Sequence, residues 1–410
     1  MTLLEWLHGF SAEEHTLFCT PGHKGTLHPY DVTELSRRGV AAEDAVKESE
    51  RRAARCYGAD GDSLRFLYNG ATEGIFAMLS AFAGKRVFLP QRAAHKCVYA
   101  ACEIFGIDLA FEKSGGFDAV FVTSPDYYGN VTVEATGDLR QKYGGKPVLV
   151  DAAHGAHFAF YGGFPASATV YADACVLSAH KTLPALTQSA YLVCKTEAIR
   201  ASADRWLALT RTTSPSYLLA ASLEHAAAYA KENGEERYGT LKRAVEKHLP
   251  LREKNDDFTR VAVRAAALGY ESGAALSEAL KAVGVYCELA DRDRTVFILS
   301  VTDDETAVLR LADALARVKC APLPVAPPRD VPPPARVCTF LEATRARAER
   351  VPLKCACGRI AAREIGLSPP CLPLAVRGEA LTAAVLDTLS QNPRSTFGVY
   401  NGEVEVLTKK

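Results

Sequence analysis

A lysine lies in a polar stretch between two apolar runs that predict buried strands. The stretch covers residues 178–188 and contains Lys181, and the apolar runs cover 174–177 and 189–194. A desolvated ammonium is costly without a partner, and conversion of the amine to an imine removes that cost. Lys181 is therefore a candidate for an imine with pyridoxal 5′-phosphate (PLP). A lysine in an ordinary surface turn would have the same local sequence, so this stretch alone leaves both interpretations open.

An aspartate upstream provides a second group that PLP chemistry requires. Residues 147–150 form a continuous apolar run typical of a parallel strand, and Asp151 ends it. A carboxylate beside the pyridine nitrogen keeps the ring protonated, and only the protonated ring is a strong electron sink. Ligands in open α/β sheets bind at the carboxyl ends of the strands, where both Asp151 and Lys181 are expected. The two residues together favour PLP over a surface-turn lysine.

Two histidines, His154 and His157, follow Asp151 closely. Paired histidines can indicate a metal site, but no third ligand has suitable spacing, so we predict no metal and prefer PLP. His157 is expected to be a hydrogen-bonded structural histidine.

Small residues before a helical run predict the site of the cofactor phosphate. Residues 69–74 read Asn-Gly-Ala-Thr-Glu-Gly and precede the apolar run 75–79. The start of a helix offers free N–H groups and a positive dipole end, which together favour an anion. Ala71 and Thr72 are the predicted phosphate contacts here, Thr72 through its hydroxyl. An ordinary helix cap would have a similar sequence.

The chain resembles the bacterial Orn/Lys/Arg decarboxylase family of PLP fold type I. No single tetrapeptide is decisive, but the matching segments occur in the family's order and span nearly the whole chain. These segments are 21–25, 31–35, 69–74, 95–96, 151–157, 178–182, 213–217, 358–360 and 368–370.

The resemblance implies a role for several residues around the pyridine ring. Lys181 would form the imine, Asp151 would hold the ring nitrogen protonated, and His95 would stack on the ring. His154 would hydrogen-bond the ring oxygen, and either Lys181 or His180 would protonate Cα. The predicted catalytic residues are Lys181, His95, Asp151 and His180.

Hydroxyl-rich segments are expected to hold the phosphate. Ser178 and His180 would contribute from the lysine segment. By resemblance, Thr213 and Ser214 would reach the cofactor of a neighbouring subunit, so that a homodimer or a dimer of dimers would share its active sites. The full set of predicted cofactor-binding residues is Lys181, Asp151, His95, Ala71, Thr72, Ala153, His154, Ser178, His180, Thr213 and Ser214.

The resemblance implies decarboxylation of arginine, lysine or ornithine to agmatine, cadaverine or putrescine, as in polyamine biosynthesis. A cationic substrate side chain requires a carboxylate at the far end of the pocket. Glu288 and Glu379 are candidates, and each is equally well explained as a surface carboxylate.

Two other functions remain open. One is another fold type I reaction, that of an aminotransferase or a β-eliminating lyase. For an aminotransferase, Arg359 is the arginine suspected of binding the substrate α-carboxylate. The other is a non-catalytic regulatory paralogue with the PLP fold. The presence of Lys181, Asp151 and His95 weighs against loss of activity.

Composition places the chain among ordinary globular proteins. It has 410 residues, 48% hydrophobic and 23% charged, with a formal net charge of zero. The balanced charge gives no support for a nucleic-acid or membrane partner. The N-terminus lacks the pattern of a signal peptide, no apolar run is long enough for a membrane helix, and the 12 cysteines are scattered. We therefore expect a reduced, cytoplasmic protein.

The expected fold is α/β. A large PLP-binding domain (36–255) with a mixed, mostly parallel sheet would follow an N-terminal segment (1–35). A smaller α/β domain (256–321), a proline-rich linker (322–335) and a compact C-terminal domain (336–410) would complete it.

The chain departs from the family pattern near its C-terminal pocket and elsewhere. Ala152 stands where many members have glutamate, Cys371 replaces a glycine, and Arg377 replaces a proline. The C-terminal domain is short and the N-terminal wing domain of larger members is absent, which favours a dimer or a dimer of dimers over large rings. The core PLP residues are intact, so the departures bear on the substrate rather than on the cofactor.

Overall fold

The computed structural model describes residues 1–33, 36–37, 39–92, 94–113, 115–133, 139–324, 331–368, 371–393 and 395–408. The helices are α1 Leu3–Ser11, α2 Ala42–Cys56, α3 Gly70–Leu79, α4 Lys96–Phe105, α5 Leu139–Lys142, α6 Ala168–Tyr171, α7 Ala179–Thr182, α8 Glu197–Thr210, α9 Tyr217–His248, α10 Gly273–Ala282, α11 Glu305–Val318, α12 Phe340–Arg345 and α13 Ala383–Gln391. The strands are β1 Ser36–Arg37, β2 Val40–Ala41, β3 Leu64–Leu67, β4 Arg86–Phe88, β5 Asp108–Ala110, β6 Ala119–Thr123, β7 Val148–Asp151, β8 Ala174–Leu177, β9 Ala190–Cys194, β10 Arg260–Arg264, β11 Leu289–Ala290, β12 Arg294–Ile298, β13 Ala348–Pro352, β14 Ile365–Leu367, β15 Leu372–Ala375, β16 Thr396–Phe397, β17 Val399–Tyr400 and β18 Glu403–Leu407.

The largest sheet among the described residues has seven strands in the order β3-β9-β8-β7-β6-β4-β5. Strand β4 pairs in parallel with β5 and β6, whereas β9 pairs antiparallel with β3 and β8. Every residue of β7 and β8 is buried. This burial explains why both strands read as continuous apolar runs in the sequence rather than as alternating ones. The mixed sheet confirms the predicted α/β class.

The described residues form two compact units. The first contains residues 1–78, 124–139 and 150–325. Within it, the buried Glu224 of α9 accepts hydrogen bonds from the Leu3 backbone and from Ser49 of α2, at 2.6 and 3.0 Å. This carboxylate therefore joins three helices of the unit.

A small antiparallel sheet of the first unit has the order β10-β12-β11. The run Val-Tyr-Cys-Glu at 285–288 predicts a strand, but the strand is β11, which follows this run. The N–H of Val285 still closes the end of α10 by donating to the Leu280 carbonyl at 3.0 Å, and this turn delays the start of the strand.

The second unit contains residues 79–123, 140–149 and 326–410. Its C-terminal part has two small sheets, β13-β18-β17 and β15-β14-β16. A buried apolar core that includes Ile365, Leu381, Val385 and Val404 packs between these elements.

The domain boundaries expected from the sequence stay predictions. Residues 325–330 of the expected linker, and Glu34, Leu35, Pro369 and Pro370 of the family-like segments, lie outside the described residues. Among the helices that the structure describes, none combines the length and apolar character needed to cross a bilayer.

Candidate active site

Asp151 is the last residue of β7 and lies buried at the carboxyl end of the strand. Its Oδ1 accepts a hydrogen bond from the Ala153 N–H at 3.1 Å. Burial raises the pKa of Asp151 above its ordinary value, although the charge of Lys181 and the Ala153 N–H act in the opposite direction. A carboxylate in this state is costly to ionise unless a cation faces it.

Lys181 lies in α7, a single helical turn that follows β8. The polar stretch that contains Lys181 begins with this helical turn, which forms because the Leu183 N–H donates to the Ala179 carbonyl at 2.8 Å. Lys181 Nζ lies 3.2 Å from His154 Nε2. The structure therefore brings Lys181, which follows β8, into contact with His154, which follows β7, and the charge of Lys181 acts on Asp151.

His154 is held on two other sides. Its Nδ1 lies 3.0 Å from Nη2 of Arg260, the first residue of β10. The Tyr127 ring meets the imidazole edge to face, with ring centres 4.7 Å apart. No role is predicted for Tyr127 or Arg260 from the sequence, because Tyr127 lies in a loop and Arg260 interrupts an apolar strand pattern.

His157 has the structural role expected of it. It is buried, and its Nε2 lies 3.2 Å from both Asp257 Oδ1 and Thr259 Oγ1. Burial alone would raise the pKa of Asp257, but His157, Arg260 and Thr259 together hold that pKa below its ordinary value. Asp257 is therefore a carboxylate stabilised by its neighbours.

The expected phosphate contacts fall into two groups. In the first, Ser178 Oγ lies 3.3 Å from His180 Nδ1, which itself lies 3.0 Å from the Ser189 carbonyl oxygen. Ala71 and Thr72 lie in the first turn of α3, and the Gly70 N–H at the start of this helix donates to the Gln188 carbonyl at 2.8 Å. This hydrogen bond joins the beginning of α3 to the segment that leads from Lys181 into β9.

A glycine lets α3 approach the sheet closely. A Cβ atom at Gly74 would lie 2.5 Å from Val176 Cγ1 and 2.7 Å from Leu67 Cδ1. Any larger residue would push the predicted phosphate-binding turn away from β8.

Thr213 and Ser214, the second group, lie exposed in the loop between α8 and α9. The cap of α9 is Ser216, whose hydroxyl accepts from the Leu219 N–H at 3.4 Å. Capping therefore does not account for Thr213 and Ser214, and their role toward a neighbouring subunit stays a prediction.

His95 belongs to the second unit, where it caps α4. Its Nδ1 accepts from the Cys97 N–H at 3.3 Å, and the N–H of the next residue, Lys96, donates to the Cys371 carbonyl at 3.0 Å. The predicted stacking of His95 on a cofactor ring stays a prediction.

The two candidate carboxylates for the substrate side chain differ. Glu379 is only 2% exposed and forms ion pairs with Arg92 at 2.6 Å and Arg336 at 3.1 Å, so it is not a surface carboxylate. Glu288 is exposed, and its Oε1 accepts a hydrogen bond from the Tyr127 hydroxyl at 2.6 Å. Glu288 is therefore linked through Tyr127 to His154, whereas the charge of Glu379 is already balanced.

Comparison with known proteins relates the chain to a group of enzymes. Residues 107–267 match the family model described as Orn/Lys/Arg decarboxylase, major domain. The chain is 30% identical to the uncharacterized protein YaaO of Bacillus subtilis strain 168, covering 88% of this chain and 85% of that protein. It is 27% identical to an arginine decarboxylase of the same strain, covering 90% of this chain and 85% of the relative.

A solved structure shows the same fold. The constitutive lysine decarboxylase of E. coli matches with a TM-score of 0.75 at 18% identity, covering 99% of this chain and 82% of that chain. This likeness confirms the fold class predicted from the sequence.

Proposed function

The chain belongs to the Orn/Lys/Arg decarboxylase family, and from that membership we propose that it removes the α-carboxylate of a basic amino acid with PLP as cofactor. The proposed substrates are arginine, lysine or ornithine, with agmatine, cadaverine or putrescine as products. The observation that carries the proposal is the contact between Lys181 and His154, whose side-chain nitrogens lie 3.2 Å apart, together with the charge of Lys181 acting on the buried Asp151. The arginine decarboxylase relative supports the substrate class.

The chemistry of these side chains fits PLP. Asp151 is buried with a raised pKa, so a protonated pyridine nitrogen beside it would supply the cation that its ionised form requires. Lys181 offers a primary amine, and Ser178, His180 and the first turn of α3 offer groups for a phosphate. Bound PLP would supply the electron sink for the pair of electrons released from the Cα–carboxylate bond.

The protein's own groups would orient the cofactor and Lys181 and would exclude water from the site. Asp151 would hold a proton at the ring nitrogen by charge attraction, and Lys181 Nζ would be directed by the adjacent His154. The burial of Asp151, His154 and Ser178 would keep water from the reacting atoms. The proton that replaces the carboxylate would come from Lys181 or His180.

The substrate's distal cation is assigned to Glu288. Its exposed carboxylate is held by Tyr127, whose ring packs on His154. A guanidinium or ammonium group at this position would gain an ion pair that a neutral side chain could not form. Glu379 is a poorer candidate because two arginines already pair with it.

A homodimer with shared active sites is part of the proposal. Thr213 and Ser214 are exposed and polar, and they are not needed to cap α9. Their exposure supports a role toward the cofactor phosphate of a second copy.

An aminotransferase gains no support from Arg359. Its guanidinium forms an ion pair with Glu349 and donates to the Leu407 carbonyl at 2.8 Å. The arginine suspected of binding a substrate carboxylate is therefore engaged within its own unit.

Purified protein incubated with PLP tests the proposal. We expect an absorbance band near the visible edge, and CO2 release from one basic amino acid without any 2-oxo acid. Both should vanish in Lys181→Ala and persist in Lys195→Ala, a matched control whose Nζ donates to the Val170 carbonyl at 2.6 Å. Protein that takes up no PLP would overturn the cofactor assignment, and PLP uptake without CO2 release from any of the three amino acids would overturn the reaction.

A further inference from the structure

Two pairs of side chains fasten the loop after β7 to the chain at the start of β10. Arg260 Nη2 lies 3.0 Å from His154 Nδ1, and Asp257 Oδ1 lies 3.2 Å from His157 Nε2. The two histidines of the loop have the same separation in sequence as their two partners before and in β10. The two pairs therefore act as one clamp, which fixes His154 through Arg260 and the end of its loop through Asp257.

The Arg260 guanidinium hydrogen-bonds His154, and its charge also lowers the pKa of Asp257. Its side chain is 1% exposed, and Nε and Nη1 have no hydrogen-bond partner among the described residues. Nη2 contacts both Nδ1 and the carbonyl oxygen of His154, the latter at 3.5 Å. Gly129 packs so closely that a Cβ atom there would lie 2.8 Å from Arg260 Cβ. The side chain is therefore confined to a position where His154 is its hydrogen-bond partner.

From this geometry we infer that Arg260 is a positioning residue that holds His154 as a neutral imidazole with its proton on Nε2, facing Lys181. A guanidinium has only donors, so Nδ1 must accept and cannot carry a proton. A neutral imidazole then carries its proton on the other nitrogen, 3.2 Å from Lys181 Nζ.

The positive charge of Arg260 also favours a neutral His154. Arg260 of β10 is a cation that contacts Nδ1 of the imidazole, and its charge opposes a second proton there. Lys181 of α7 faces Nε2 and can accept the Nε2 proton only as an uncharged amine or imine nitrogen. Tyr127 contributes its ring, and its hydroxyl is turned to Glu288. Asp151, the last residue of β7, is the acidic group next to the loop that contains His154. It accepts a hydrogen bond from the Ala153 N–H.

The inference rests on the proposed function only in naming Lys181 as the lysine that binds PLP. With its proton on Nε2, His154 presents a donor to the lysine nitrogen. It can therefore orient the nitrogen's lone pair, but it cannot remove a proton from the lysine. Arg260 sets this direction without contacting the reacting atoms.

The test is the ¹⁵N spectrum of the histidine-labelled protein with PLP added, followed over about pH 5 to 8, the range in which histidine ordinarily titrates. His154→Gln identifies the signal. The wild type should show a neutral His154 with its proton on Nε2 throughout. In Arg260→Met, His154 should take up a second proton on acidification, with a midpoint raised by about one pH unit or more. Arg264→Met, on the same strand but paired with Glu253, should match the wild type.

A second variant separates the effect of the Arg260 hydrogen bond from the effect of its charge. It also replaces Arg260→Met in the test if that variant does not fold. Arg260→Gln keeps an N–H donor without the cation, so His154 should keep its proton on Nε2 at alkaline pH and gain a second proton in acid. A wild-type His154 that carries its proton on Nδ1, or that titrates like an ordinary histidine, would overturn the inference. If the wild type takes up no PLP, the proposed function fails, whereas the His154 signal still decides the role of Arg260.

Discussion

Lys181 and His154 meet with their side-chain nitrogens 3.2 Å apart, although 27 positions separate them in the chain. His154→Gln is expected to lower CO2 release at least about tenfold, since groups placed at a reacting nitrogen contribute on that scale or more. The variant should unfold at nearly the wild-type temperature, because the glutamine side-chain oxygen can still accept from Nη2 of the buried Arg260. Turnover measurements and thermal unfolding together check this; a wild-type rate would remove His154 from the site.

The second histidine of the same loop should behave in the opposite way. His157→Leu leaves the buried Asp257 carboxylate without its main partner, which is expected to cost about 3 kcal/mol of unfolding free energy. Because the pKa of Asp257 is held below its ordinary value, its contribution to stability is present above that ordinary value and is lost as the pH falls through the lowered one. Denaturant unfolding should therefore show a large difference in unfolding free energy between the wild type and His157→Leu at neutral pH. This difference should become smaller in acid. A difference that does not depend on pH would contradict the assigned cause.

Asp151→Asn should separate stability from cofactor binding. Because burial raises the pKa of Asp151, its stabilising contribution is complete below the ordinary value and is lost as the pH rises through the raised one. Without PLP, the variant should be more stable than the wild type at neutral pH by about 1 kcal/mol, and the two should converge in acid. PLP affinity should fall about tenfold or more. Thermal unfolding against pH and a PLP titration check both expectations; a less stable variant would show that Asp151 is already compensated without the cofactor.

Glu288→Gln should raise KM for the basic amino acid about tenfold with little change in kcat, because it removes an ion pair made equally in the bound and reacting states. Tyr127→Phe removes the hydroxyl that holds Glu288 at 2.6 Å and should act in the same direction, but less strongly. Glu278→Gln, an exposed carboxylate of α10 paired with Lys281, is the matched control. An unchanged KM in Glu288→Gln would exclude this carboxylate from the substrate pocket.

Two glycines in helices should respond to alanine with opposite signs. At Gly74 the new Cβ would lie 2.5 Å from Val176, so we expect a loss of about 1–3 kcal/mol in unfolding free energy and weaker PLP binding. At Gly239 in α9, the nearest atom would lie 3.6 Å away, and alanine should stabilise the helix by up to about 1 kcal/mol. Urea unfolding of both variants checks the pair. Equal effects would show that α3 can move off the sheet.

The sequence predicts the parts of this molecule that depend on local pattern. The apolar runs before Asp151 and Lys181 are strands, because buried parallel-type strands need apolar residues on both faces. The alanine-rich, charged pattern of residues 222–255 predicts a helix, which begins earlier, at Tyr217, because Ser216 caps it. Here the chemistry of the cap, rather than the apolar pattern, sets the boundary.

Contacts between distant segments could not be predicted from the sequence. Arg260 interrupts an apolar strand pattern, and only the approach of β10 to the loop after β7 reveals why a buried guanidinium is tolerated there. Glu379 resembles a surface carboxylate in sequence, yet it is buried because Arg92 and Arg336 compensate its charge. Such pairings depend on tertiary packing, for which a single sequence has no periodic signal.

The hydrogen bond from Gly70 to Gln188 has a consequence for how this region tolerates changes in length. It ties the first turn of α3 to the segment that connects α7 with β9, so the number of residues between Lys181 and Gln188 is fixed at both ends. One inserted residue would displace either the lysine from the end of β8 or the acceptor carbonyl from α3. Surface loops usually absorb insertions with little loss, whereas this short connection should tolerate none.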